Sequence, residues 1–520
     1  MSSKVNEALF DLIQSMSKSE KRYFKLMSSR HTIGDENNYV RLFDFLDHQQ
    51  EYDEEGVEIH FKGEAFLNRF SITKKRLYDH ILTALDSFHA SGSVEAQLYK
   101  MLHSADILFE KSLYDQSRRV LRSAEKLASK FEKQAILLLV ANKQRRLLET
   151  SGYLEVDAGH ISELDQKERA ALESIDLYNR IWTVKSRLFA QLSRKGIARS
   201  SGETHAYTEI CAEIMDGVQL EKVSTECNYL FHHTLSAYYY SIGDTRNSLF
   251  HLHKNLDLFE TEAGQQMIEP NKQVSAYTNA IYVSDKLGLQ KDSLLYLGKL
   301  KKMAASIECN EDLSIKLFSS ISSIEFSLCL RRGDFDSARK IAHDVEQRLA
   351  EFGDKIVPAR RAFLEFKLAV AFLGTAEYSA ALKWVNRILN SPELDKTEDI
   401  IGFTQLLDLL IHIEMKHDDL LPYALKSAQR FFKTRNRLYG FEKLFLQFVG
   451  KLIKCQDRFE VSELWDELCT NLATVNSDEY ESVAQEYFDF SAWAESRARQ
   501  KSFDAVVREK YFEFSARAAC

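Results

Sequence analysis

After Gly333-Asp334 the chain reads Phe335-Asp336-Ser337-Ala338, and its next apolar residues fall at Ile341, Ala342, Val345 and Leu349. Steps of three and four residues put these side chains on one face of a helix with a single buried stripe. The Gly-Asp pair stops the helix before it and caps the one after it. The unit therefore reads as a helical hairpin whose second helix opens with a small residue, Ala338.

The same arrangement recurs along the chain. The small residue is Ser248 after Gly243-Asp244, Ser293 after Gly288-Leu289, Ala381 after Ala376-Glu377-Tyr378, and Ser117 after Ser112-Leu113-Tyr114. Ala424 and Ser462 continue the series less regularly. Spacings from Ser248 onward are 45, 45, 43, 43 and 38 residues. The 131 residues from Ser117 to Ser248 hold about three such steps, which places further units near Ser162 and Ala206, the latter ahead of Ile210 and Ile214. Eight hairpins are expected, and a ninth at Ser162 is the weakest by pattern.

The Gly-Asp-Phe-Asp-Ser-Ala string resembles the opening of the second helix in tetratricopeptide repeats. That family's first helix carries Leu-small-x-x-Tyr, matched here by Leu368-Ala369-x-x-Phe372 and Leu235-Ser236-x-x-Tyr239, and more loosely by Val449-Gly450-x-x-Ile453. The likeness covers about residues 95–475. It departs from the family in a period near 44 instead of 34, and in Phe326 at the small position of the clearest unit. The resemblance implies an all-α chain, an α-solenoid of antiparallel helix hairpins in a superhelix, because no hairpin buries both faces alone. It further implies that the first helices line a concave surface for a protein or peptide. Carried over position by position, that lining is His233, Tyr240, Thr278, Tyr282, Ser323 and Ser327. The Lys/Asn set with which some members clamp a C-terminal carboxylate does not fall at these positions.

Composition sharpens the picture at few points. Only 4 prolines occur in 520 residues, and Pro270, Pro358, Pro392 and Pro422 each lie near the start of an apolar-periodic stretch or in the gap before one. Helices tolerate proline only in the first turn, so long helices dominate. The longest apolar run, 135–141, is too short to span a bilayer, and residues 1–14 carry charges where an export signal would be apolar. No membrane insertion is expected. The seven cysteines are scattered without a CxxC pair, which fits a reducing cytoplasm. Net charge is −8, and only residues 91–202 are basic, with 19 Lys+Arg against 14 Asp+Glu, so nucleic acid is a disfavoured partner.

The ends depart from the repeat. Residues 1–90 read as a small helical module, with helices at about 5–15, 19–29, 38–48 and 74–88. Within it, 65–81 resembles a helix-turn-helix: Phe66, Leu67, Ile72, Leu77 and Ile81 in the core, Ser71-Ile72-Thr73 as the turn, and Lys74, Lys75 and Arg76 opening a recognition helix. The plainer expectation is a cap for the array, which occupies residues 91–475. Residues 476–520 read as capping helices, the first running from Asp478 to Arg499 with Tyr487, Phe488, Phe490 and Trp493 near one face.

No phosphate-binding loop, dinucleotide fingerprint, HExxH or GxSxG motif occurs. His232, His233, His251 and His253 flank one turn but point too far apart on their helices for a shared metal. Neither enzyme chemistry, a metal nor a cofactor is expected. The expected function is a protein- or peptide-binding scaffold. The alternative is an effector-sensing transcription regulator that reads DNA through Lys74, Lys75 and Arg76.

Overall fold

The structure, a computed structural model, describes residues 7–29, 38–90, 92–153, 158–215, 223–306, 311–394, 399–435, 437–455 and 457–518. Among these no strand occurs, and the chain is all-α. It divides into two compact units, Met1–Leu172 and Glu173–Cys520, the division falling inside one long helix.

The first unit contains α1 (Ala8–Ser15), α2 (Lys18–Ser29), α3 (Asn38–Asp47), α4 (Glu54–His60), α5 (Phe70–His89), α6 (Val94–Glu110), α7 (Tyr114–Lys130) and α8 (Gln134–Thr150). It also holds the start of α9 (Ala158–Lys195). Helices α1 to α5 share a core of Ile13, Phe24, Phe43, Leu77 and Ile81, while α6, α7 and α8 share another built on Leu98, Leu121 and Val140.

The expected turn at 71–73 is not there. Ala65–Arg69 is a 3-10 turn that runs directly into α5, so Ser71, Ile72 and Thr73 are already helical. The α5 register buries Phe70, Thr73, Leu77, Ile81 and Ala84, which turns Ile72 outward at 50% exposure. Thr73 holds this entry by donating to the carbonyls of Phe66 and Arg69. Helix α4 was not expected, and the 38-residue α9 replaces the hairpin anticipated at Ser162, which is exposed on it.

The second unit continues through α10 (Ser201–Met215), α11 (Thr225–Ser241), α12 (Thr245–Phe259), α13 (Glu262–Met267), α14 (Pro270–Lys286), α15 (Gln290–Ser306), α16 (Glu311–Arg331) and α17 (Phe335–Phe352). Then follow α18 (Pro358–Gly374), α19 (Tyr378–Leu389), α20 (Asp399–Glu414), α21 (Leu421–Thr434), α22 (Gly440–Leu452), α23 (Arg458–Val475), α24 (Phe490–Ala498) and α25 (Phe503–Ala518). Consecutive helices pack as pairs, α11 with α12, α14 with α15, α16 with α17 and α18 with α19. The first helices also pack on one another in the order α14, α16, α18, α20. Pro270 and Pro358 begin α14 and α18, and Pro422 lies in the first turn of α21.

The small residues mark where the two helices of a pair cross. Ser117, Ser248, Ser293, Ala338, Ala381 and Ala424 each occupy the fourth position of their helix, and all but Ala424 are fully buried. The serine hydroxyls reach the carbonyl twelve residues earlier on the partner helix, at 2.8 Å for Ser117 to Ala105 and 2.9 Å for Ser248 to Ser236. The preceding turns carry a left-handed residue five positions before: Ser112, Gly243, Gly288, Gly333 and Ala376. Asp244 and Asp334 cap α12 and α17 by accepting the Asn247 and Ser337 amides. Ser462 breaks the series, since it is exposed and Trp465 faces inward instead. In α10 the buried residues are Tyr207, Cys211 and Ile214, so Ala206 and Ile210 sit beside the stripe.

This crossing makes a stability prediction. A leucine at Ala338 or Ala381 would overfill a contact with no free space, costing about 1–3 kcal/mol. Alanine at Glu346 or Lys383, which lie off the stripes, should shift stability by no more than about 0.5 kcal/mol. Urea melts of the four variants that gave equal effects would remove the crossing as the repeated feature.

The segment after α23 also differs from expectation. Residues 478–499 are not one helix: Glu481–Glu486 forms a 3-10 turn and α24 begins afresh at Phe490, capped by Asp489 accepting the Ala492 amide at 2.7 Å. Phe488, Phe490 and Trp493 enter the core with Phe441, Phe445 and Trp465. Helix α25 lies against α16 and α17, where Phe503 meets Phe335 and Arg508 donates to the Gly333 carbonyl at 3.0 Å. Among the described residues α16 is long and apolar enough to cross a membrane, at a mean hydropathy of 1.4, and half of that stretch is buried inside the fold.

Candidate functional site

Four of the side chains expected on one surface, Tyr240, Tyr282, Ser323 and Ser327, converge in the second unit. The Tyr282 hydroxyl on α14 meets the hydroxyls of Ser323 and Ser327 on α16 at 2.9 and 3.1 Å. Lys367 on α18 extends the row by donating to Ser327 and holding its ammonium over the rings of Tyr282 and Phe363. Burial alone pushes the Tyr282 phenol up, but the Lys367 charge and the bonds from the two serines bring it below the ordinary tyrosine value.

This row opens on a cavity of about 870 Å³ that Tyr240, Tyr282, Ser327 and Lys367 help to line. Its opposite wall is the segment between α23 and α25. Glu486 pairs with Lys286 and accepts the Tyr240 hydroxyl at 3.3 Å, and burial followed by the Glu486 charge raises the Tyr240 phenol well above its usual value. Tyr487 stacks on Phe403 at 3.9 Å and donates to Asp399 at 2.9 Å. Asp399 is also paired with Arg437 at 2.6 Å.

One buried charge network fastens that wall. Arg199, in the turn before α10, pairs with Glu442 on α22 and with Glu481 at 3.1 Å, and it lies over the Tyr439 ring. Glu481 in turn accepts the amides of Gly440 and Phe441, both at 2.8 Å. These bonds draw Glu481 out of a regular helix, because the open N-terminus of α22 offers donors that its own turn cannot.

The remaining expected residues take no part in this hydrogen-bonded row, although Thr278 lies one turn before Tyr282 on α14. Thr278 spends its hydroxyl on the Val274 carbonyl at 2.7 Å. His233 is buried between the rings of Tyr229 and Phe189, and burial, then Lys185, Lys316 and Lys272, lower its imidazole to about 4. Of the four clustered histidines only His232 and His251 meet, Nδ1 to Nδ1 at 2.8 Å. Among the described residues no three metal-ligating side chains converge. In the first unit Lys74 is engaged with Glu54 at 2.8 Å and Tyr52 at 3.2 Å, while Lys75 and Arg76 are exposed on the first turns of α5.

Sequence reasoning missed Lys367, Glu486, Arg199 and Glu442. Lys367 had a usable signal, since it lies 44 residues after Ser323, one repeat period along the same face. Arg199 and Glu442 are 243 positions apart and had none. A scan against protein-family models finds no match, and a search of curated proteins finds none either.

Proposed function

We propose that this chain is a cytoplasmic, non-enzymatic binding protein, a tetratricopeptide-like α-solenoid whose concave face receives a segment of a protein partner. The observation that carries the reading is the joined row of Tyr282, Ser323, Ser327 and Lys367, contributed by three successive first helices and bordering a cavity large enough for several side chains. Hydroxyls and an ammonium can serve a peptide main chain and its acids, while Phe363 and Phe366 offer apolar contact. The free cysteines, Cys211 and Cys227 among them, support a reducing compartment.

The test is a photo-crosslinking amino acid placed at Ser323, with a second at Lys383 on the exposed side of α19 as control. In the native cell, position 323 should capture one recurrent partner peptide that position 383 does not, and Tyr282→Ala should reduce the capture. Equal capture at the two positions, or capture indifferent to Tyr282, would remove this face as the docking surface.

A further inference from the structure

The row continues beyond the cavity as a strip of cations. Lys272 on α14, Lys316 on α16 and Arg360 on α18 fall at intervals of 44 residues, one repeat apart, and Lys367 lies two turns after Arg360. Lys272 is paired with Glu226. The other three take neutral acceptors: Lys316 the Asn271 carbonyl at 2.5 Å, Arg360 the Ser319 hydroxyl at 3.4 Å, and Lys367 the Ser327 hydroxyl. Among the described residues none of the three makes an ion pair, although each is half-buried.

Half-buried cations without counter-charges are unfavourable, and this set also repels itself. Lys316 is pushed down to about 8 by burial, then by the Arg360 charge, with Asp312 and Glu269 opposing and Lys185 adding to it. Lys185 is lowered in turn by burial and by Lys272. The acids nearby do not neutralise the strip. Asp312 and Glu269 act on Lys316 from a distance, but both are exposed, Asp312 accepts from Asn271, and Asp285 is committed to Arg331. A surface that holds cations in this state gains most when a ligand brings the missing negative charge.

Taking the first-helix face as the docking surface, we infer that its partner is an acidic polypeptide segment whose carboxylates pair with Lys316, Arg360 and Lys367. Packed helices lie about 8–10 Å apart. An extended peptide advances about 3.3–3.6 Å per residue, so acids at every third position match cations on successive helices. The protein already holds one segment of this kind against the same unit. Residues 478–489 include Asp478, Glu479, Glu481, Glu486 and Asp489 among aromatic residues, and Glu486 takes Lys286 and Tyr240 while Glu481 takes Arg199 and two amides. Nucleic acid fits less well. The rings it would stack on, Tyr282 and Phe363, carry Lys367 over their faces, and the chain is net negative.

The experiment is fluorescence anisotropy on the full chain with a labelled repeating Glu-Ala-Tyr peptide, the same repeat with Gln for Glu, and a single-stranded oligonucleotide. The Glu peptide should bind, weaken as salt rises, and lose about tenfold in affinity with each of Lys316→Gln, Arg360→Gln and Lys367→Gln, as removal of one charge-assisted hydrogen bond does. Lys340→Gln, on the exposed side of α17, should change nothing, and thermal melts should show every variant folded. Equal binding of the Gln peptide, or tighter binding of the oligonucleotide, overturns the inference. Absence of peptide binding alongside specific crosslinking at Ser323 also overturns it while leaving the docking face standing. Loss of both removes the face itself.

Discussion

Replacing Arg199 by alanine is expected to destabilise the second unit by about 3–5 kcal/mol, because it leaves Glu442 buried without its cation. The side chains of Arg199 and Glu442 are 4% and 2% exposed, so water cannot take over the missing interaction. Burial already holds the Glu442 carboxyl above its usual range in spite of Arg199, and with Arg199 gone only protonation would relieve it. The double variant Arg199→Met with Glu442→Leu removes both charges and fills the space with apolar atoms. It should recover most of the loss, since a buried pair adds little over a well-packed hydrophobic replacement. Urea melts of the single and double variants decide the matter. A single variant no worse than the double would mean that the pair is solvated and does not fasten the segment around Glu481.

The same pair shows where sequence patterns stop informing. Second helices such as α7, α17, α19 and α21 have one face in water, so their apolar residues keep a visible period and their small fourth residues recur in one register. First helices such as α18 and α20 are covered by their own partner and by neighbouring first helices, and they are buried nearly all round. No period survives there, so the burial of His233 on α11 between two aromatic rings is not legible in the sequence. Tyr282, Ser323 and Ser327 could be placed together because the repeat itself fixed their offset. The segment around Glu481 looked helical because its aromatic residues suit a helix face. It is broken by acids that leave for the α22 amides and the Ala492 amide, partners that no local pattern reveals.

The other large effect should come from a single added methyl group. Gly374 closes α18, and a Cβ built on it would stand 1.9 Å from Cδ1 of Phe335, the first residue of α17. The ring cannot step aside, being 3% exposed and held on another side by Phe503 at 5.3 Å between centroids. Gly374→Ala should therefore cost about 3 kcal/mol, the upper end of ordinary overpacking, even though alanine is the better helix former. Phe335→Leu alone should also destabilise, through lost burial. Combined, the two should cost less than their sum, because the smaller side chain vacates the space that the methyl needs. Denaturant midpoints for the two singles and the double measure that coupling. Strict additivity, or an unchanged midpoint for Gly374→Ala, would mean that the end of α18 does not rest on the Phe335 ring. The contact between α17 and α18 would then have to be redrawn, and with it the seat of α25 on α17, where Phe503 meets Phe335 and Arg508 donates to the Gly333 carbonyl.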